Sequence, residues 1–241
     1  MSSVTSAHGL AKRFGGVAAV DDVSFEIAAG EVVALVGHNG AGKTTLVELL
    51  SGVQPPDAGA LHVSGTRVRF RSPRDAEAAG IVTLHQELAL ADHLDVVANV
   101  FLGHEVRRFG LLDELAMRSE TRSLLDRLQP GFDGYGVPVH RLSGGQRQLV
   151  AMARALRLDA KCLILDEPTA ALGPGESERV NGWVRRVSDD GVSVLVVSHD
   201  LTRVLALAER VLVMRGGRLV TESPTQGLER HTLEDWILGR R

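Results

Sequence analysis

Short alternating runs dominate the first part of the chain. Val23-Ser-Phe-Glu-Ile27 puts every second residue on an apolar face, Arg67-Val-Arg-Phe70 does the same, and Ala60-Leu-His-Val63 lies between Gly59 and Gly65. A period of two marks half-buried strands, so the chain is predicted to be strand-rich up to about residue 85. Glu31-Val-Val-Ala-Leu-Val36 is an apolar run that reads as a further strand, and the amphipathic stretch Leu46-Val-Glu-Leu-Leu50 predicts the single helix of this region, ended by Gly52. From about 95 to 130 the period changes. Leu111, Leu112, Leu115, Leu124, Leu125 and Leu128 stand among charged residues and predict a helical insert. Strand and helix then alternate: a helix from Gln146, the strand Cys162–Leu165, a helix around Glu178–Val187, the strand Ser193–Val197, a helix around Leu201–Ala208 and the strand Arg210–Met214. That alternation predicts a parallel sheet with crossover helices. No internal repeat or low-complexity linker interrupts it, so the insert reads as a subdomain on one core.

Composition narrows the classes. With 241 residues and 44% hydrophobic content the chain can bury a substantial core, and a net charge of −3 lacks the basic footprint expected of a nucleic-acid binder. The one cysteine, Cys162, sits in an apolar run and reads as a small buried residue in a reducing compartment. Residues 1–8 show neither a basic nor an apolar leader region, and no apolar run is long enough to span a bilayer. The expectation is a cytoplasmic chain that does not itself cross a membrane.

The chemistry concentrates where the strand Glu31–Val36 meets the helix at Leu46. Between them lies Gly37-His38-Asn39-Gly40-Ala41-Gly42-Lys43-Thr44-Thr45. Glycines at 37, 40 and 42 let the backbone curl so that successive N–H groups point at one anion, and the following helix adds the positive end of its dipole. In such a loop Lys43 would reach the β- and γ-phosphates of a nucleotide, and the Thr44 hydroxyl would ligate Mg²⁺. A second candidate is Leu163-Ile-Leu-Asp166-Glu167, an apolar strand ending in two carboxylates at the edge of a parallel sheet where ligands bind. Strand neighbours point to opposite faces, so Asp166 is expected near Mg²⁺ and Glu167 toward the attacking water. A third is Leu142-Ser143-Gly144-Gly145-Gln146-Arg-Gln148, where Ser143 and Gln146 form a capping box. The box does not account for two glycines, which open the helix start to a phosphate.

Taken together, these motifs resemble the ATPase subunits of ABC transporters. The resemblance runs through Phe14 in Lys12-Arg-Phe-Gly15, Gly37–Thr45, Gln86, Leu142–Gln148, Leu163–Glu167, Ala170-Ala-Leu-Gly173 and His199 after Val194-Leu-Val-Val-Ser198. It implies an α/β fold of the P-loop NTPase kind, with a mostly parallel core sheet, an N-terminal antiparallel β subdomain and an inserted helical subdomain. One domain over 1–241 is implied, residues 1–85 and 146–241 forming the α/β core with the β subdomain and about 87–145 the helical subdomain. It also implies ATP and Mg²⁺ as cofactors. Phe14 would stack on adenine, residues 37–45 would hold the phosphates, and Thr44, Gln86 and Asp166 would address Mg²⁺. Glu167, His199 and Gln86 would be the catalytic set, with His199 on the γ-phosphate and Gln86 sensing the membrane partner. Ser143, Gly144, Gly145 and Gln146 would act on the ATP of a second copy in a head-to-tail homodimer. The remaining implied partners are a transmembrane permease and an extracytoplasmic solute-binding protein as separate chains, with no nucleic acid. The place implied is the cytoplasmic side of the plasma (inner) membrane, peripherally.

Two departures stand out: Gly173 occupies the position where most members carry an aspartate, and Thr44 replaces the more frequent serine. Within the family, Val68-Arg-Phe-Arg-Ser-Pro-Arg-Asp-Ala-Glu-Ala-Ala-Gly80, His85-Gln-Glu-Leu88 and Asn99-Val-Phe-Leu-Gly103 resemble ATPases of monosaccharide importers of the ribose, xylose and fructose kind, in a single-cassette branch. Arg67, Arg69, Arg71 and Arg74 read as a solvated face. A nucleoside, an autoinducer or another polar solute stays open as cargo, since the ATPase never touches it. A soluble ABC ATPase acting on ribosomes or DNA, or a non-catalytic nucleotide-binding regulator, are the readings from other classes.

Overall fold

A computed structural model describes residues 3–170 and 172–240, so Ala171 of the segment Ala170–Gly173 lies outside the described residues. Two sheets dominate. The first is antiparallel: β1 (Ser3–Phe14), β2 (Val17–Ala28), β4 (Ala58–Val63) and β5 (Thr66–Val68) lie in the order β2-β1-β4-β5. The second holds β3 (Val32–Val36), β6 (Ile81–Leu84), β9 (Cys162–Asp166), β10 (Ser193–Val197), β11 (Arg210–Arg215) and β12 (Arg218–Pro224) in the order β12-β11-β3-β10-β9-β6. β11, β3, β10, β9 and β6 run parallel, and β12 closes one edge antiparallel to β11.

Apolar residues on both faces of these strands explain why the sheet is sandwiched. In β3, Val32, Ala34 and Val36 enter one core and Val33 and Leu35 the other; Leu163 and Leu165 of β9 likewise oppose Cys162 and Ile164. One core packs against α1 (Lys43–Leu50), α2 (Pro73–Ala79) and the antiparallel sheet. The other packs against α5 (Gly144–Arg157) and α6 (Pro174–Asp189) and continues into the segment holding α3 (Val96–Phe101) and α4 (Glu114–Leu128). α7 (Leu201–Leu207) and α8 (Arg230–Leu238) complete the α-helices among the described residues, and a 3-10 turn spans Val139–Arg141.

Two local expectations are corrected. The strand-rich first part holds a second helix, α2, which begins at Pro73 after an extended Ser72 and stops at left-handed Gly80; proline at the first helical position and glycine at the stop were its signals. The region from 95 to 130 is not uniformly helical, because a hairpin of β7 (Arg107–Arg108) and β8 (Leu111–Leu112) separates α3 from α4. Arg67, Arg69, Arg71 and Arg74 are exposed, as a solvated face requires. No helix among the described residues is long and apolar enough to cross a membrane.

Candidate functional site

Strand order assembles the site. Because β3, β10, β9 and β6 are parallel neighbours, their C-terminal ends emerge side by side. Residues 37–42 follow β3, Ser198 and His199 follow β10, Asp166 ends β9 with Glu167 behind it, and His85 and Gln86 follow β6. Segments as far apart in sequence as Gly37 and His199 therefore share one edge.

The glycines of the loop answer to different constraints. A Cβ on Gly37 would lie 2.2 Å from the carbonyl oxygen of Met214 in β11, and one on Gly42 would lie 2.2 Å from that of Ala19 in β2. Gly40 has open space but takes a φ of 79°, in the left-handed region that favours glycine. The turn after β11 holds the loop as well, the Gly217 N–H donating to Ala41 O at 3.0 Å. Lys43 arches back over it, Nζ donating to the carbonyls of Gly37 (2.7 Å) and His38 (3.1 Å). Burial lowers the Lys43 pKa, while Glu167 and Asp166 pull it the other way. His38 and Asn39 are exposed, with His38 Nδ1 2.6 Å from Asn39 O. Gly42 caps α1 with no side chain, so the first-turn N–H groups, including those of Thr44 and Thr45, stay available to an anion.

Opposite the loop, β9 stops at Asp166 and Glu167 adopts a left-handed φ of 50° while its N–H donates to Val197 O at 2.9 Å. Glu167 is thus aimed by a strained backbone turn and not by strand alternation. Its Oε1 lies 2.7 Å from His199 Nδ1, and the Ser198 hydroxyl reaches Oε2 at 3.5 Å. His199 is largely exposed, at 72% of its side-chain surface against 19% for Glu167.

Burial, and then the charge of Glu167, raise the Asp166 pKa; His85 and Lys43 offset part of this. A carboxylic acid with a raised folded pKa contributes stability at low pH that is lost as pH rises through that value. In its ionised form Asp166 therefore weakens the fold. Asp166→Asn is expected to raise the melting temperature at neutral pH by a few °C, on the order of 1 kcal/mol or less after solvent screening, with the gain shrinking as pH falls. Melting curves of both proteins across pH read this, and the absence of any gain at neutral pH contradicts it.

Gln86 is exposed at the start of a loop lining a 660 Å³ cleft with Gly144, Arg147, Gln148, Glu167 and Pro168. Two residues that sequence reasoning gave no such role hold this loop. Arg154 of α5 donates to the carbonyls of Leu88 and Ala89, both at 3.0 Å. Asn99 of α3, fully buried, pairs with the backbone of Ala91 through both halves of its amide and donates to Leu94 O and Asp95 O. An asparagine inside Val96–Phe101 was the available signal, since a buried amide must find partners. Phe14, at the hairpin end of β1, is 46% exposed, with Lys12 Nζ 5.7 Å from its ring centroid.

Ser143 caps α5. Its hydroxyl accepts from Gln146 N (3.2 Å) and its N–H donates to Gln146 Oε1 (3.0 Å), so both bonds of the capping box are present. The adjoining glycines also have a packing reason: a Cβ on Gly144 would meet Leu172 at 3.0 Å, and one on Gly145 would meet Glu176 at 3.2 Å. The hydrogen bonds of this turn run to its own residues and to Glu176 of α6.

A family model described as ABC transporter matches residues 20–170. A ribose import ATP-binding protein of Rubrobacter xylanophilus is 44% identical over 234 residues, covering 96% of this chain and 45% of that protein. A xylose/arabinose import ATP-binding protein of Sulfolobus acidocaldarius is 42% identical over 220 residues, covering 91% of this chain and 88% of that protein. The chain spans about half the length of the ribose-named relatives it matches, 44 to 48%. Among solved structures, the dimeric post-hydrolysis state of an ATP-binding cassette bound to ADP and Pi superposes with a TM-score of 0.76 at 23% identity, covering 93% of this chain and all of that one, a likeness of fold.

Proposed function

This chain belongs to the ABC transporter family, and on that premise we propose that it is the ATP-hydrolysing motor subunit of an importer whose cargo is a monosaccharide. The observation that carries the reading is the convergence of Lys43, Asp166 and the Glu167–His199 pair at one sheet edge beside a glycine loop closed in by β2 and β11. The import names of relatives at 42 to 44% identity support the cargo class.

In this reading the N–H groups of residues 40–45 and the Lys43 ammonium bind the β- and γ-phosphates. Thr44 and Asp166 offer the hard oxygen donors that suit magnesium, with Gln86 as a third. Bound there, Mg²⁺ would neutralise charge developing on the transferred phosphoryl group. Glu167 orients the attacking water and accepts its proton. His199 uses Nδ1 to hold Glu167, which leaves Nε2 to address the γ-phosphate. Phe14, exposed on the hairpin beside the loop, would stack on adenine.

Ser143, Gly144 and Gly145 would complete the site of a second copy, each ATP lying between the loop of one chain and the α5 N-terminus of the other. That a solved cassette of like fold is dimeric supports a two-copy assembly. Gln86 would pass the closing motion to a permease, on the cytoplasmic face of the membrane. Reconstituted with its permease, the subunit is expected to show ATPase stimulated by a binding protein loaded with a pentose or hexose. Stimulation by a nucleoside or an amino acid, with none from a panel of sugars, contradicts the cargo assignment.

A further inference from the structure

We infer that Glu176 is an internal anion that occupies the Ser143–Gly145 turn within each chain, and that its carboxylate must let go of Gly145 before the turn can close over a phosphate. The inference rests on the two-chain site proposed above. In that site the donors meeting the γ-phosphate are those of Ser143–Gly145, and here the N–H groups of Ser143 and Gly145 are engaged. The Gly145 N–H, on a buried residue, donates to Glu176 Oε1 at 3.2 Å. That bond, joined by the Ser143 side chain and the Gly173 N–H, holds the Glu176 carboxyl below the ordinary range.

Capping alone does not explain this geometry. Glu176 stands at the third position of α6, where a glutamate commonly reaches back to its own N-cap N–H, here Gly173. Its Oε1 reaches further, to the first turn of α5, 31 residues earlier in the chain. One carboxylate thus sits between the positive ends of two helices of 14 and 16 residues. Gly144 and Gly145 have no Cβ at the point where α6 meets this turn, so the carboxylate can approach the backbone donor that a phosphate would need. A dianionic γ-phosphate arriving from a partner would meet both an occupied donor and a like charge.

The test uses full-length protein carrying Glu167→Gln, so that ATP is retained. Dimer formation is followed by light scattering as Mg²⁺ and ATP are titrated, with and without Glu176→Gln or Glu176→Ala. Glutamine keeps the size and removes the charge; alanine removes both. Each is expected to lower the ATP concentration at half-dimerisation by roughly threefold or more, the scale of a solvent-screened charge at a helix terminus. ATP affinity of the monomer, measured at protein concentrations too low for association, should not move, which separates the effect from a general change in the fold. A midpoint unchanged or raised in both variants overturns the inference. Failure of the Glu167→Gln parent to dimerise with ATP overturns the two-chain site, and this inference with it.

Discussion

Lys43→Ala is expected to abolish tight ATP binding. Lys43 Nζ is already held over the loop by the carbonyls of Gly37 and His38, so it needs little reorganisation to reach a phosphate. Asp166 and Glu167 favour its charged form against the burial that disfavours it. Without it the two carboxylates face the phosphates with only the backbone dipoles and the proposed Mg²⁺ as counterweight. Truncating one partner of a close charge pair costs about 3 kcal/mol, roughly a hundredfold in affinity. The fold should survive, because Lys43 begins α1 and alanine is the better helix former there. Equilibrium binding of labelled ATP measures the effect, and undiminished affinity in a folded variant removes Lys43 from this role.

Glu167→Gln is expected to bind ATP, close the dimer and hold it unhydrolysed, with turnover reduced about 10²- to 10⁴-fold, the usual contribution of a general base. Glutamine retains the shape and can still pair with His199 Nδ1, the 2.7 Å contact that orients the residue. The left-handed backbone at φ 50° strains glutamine no more than glutamate. Removing its charge also relieves Asp166, whose carboxyl is pushed up partly by Glu167. The variant should therefore stay folded while losing the proton acceptor. Adding Ser143→Arg, which sets bulk and charge against the partner's γ-phosphate, should return the protein to monomer. Light scattering with and without ATP and Mg²⁺ distinguishes the cases. A Glu167→Gln protein that remains monomeric at high concentration with ATP, even beside its permease, sinks the composite site, and one that hydrolyses ATP at the wild-type rate removes Glu167 from its role.

The α/β architecture was legible because its cause is local. Apolar runs such as Glu31–Val36 and Ser193–Val197, alternating with amphipathic stretches, leave few ways to bury both faces of a strand except a parallel sheet between helices. The hairpin Arg107–Leu112 was not legible, since its leucines 111 and 112 carry no period that separates a two-residue strand from a helix turn. α2 was missed for another reason: its seven residues are short, and only Ala76 is buried, so almost no hydrophobic period announces it.

For the site, the residue types and spacings alone carry the proposal of phosphate binding at Gly37–Thr45 and of acid chemistry at Asp166 and Glu167. These follow from chain-local facts: glycine freedom, a helix start, adjacent carboxylates at a strand end. What the tertiary structure decided depends on segments that sequence distance hides. Strand order brings Glu167 to His199, 32 residues on, and β2 and β11 explain Gly42 and Gly37 as points of close approach. Arg154 and Asn99 reveal themselves as supports of the Gln86 loop only once carbonyls of other elements stand within hydrogen-bond reach. The double glycine at 144 and 145 reads in sequence as an opening for phosphate. In three dimensions it is also where α6 packs and where Glu176 finds a donor, because a missing Cβ admits whatever backbone or carboxylate the fold brings to it.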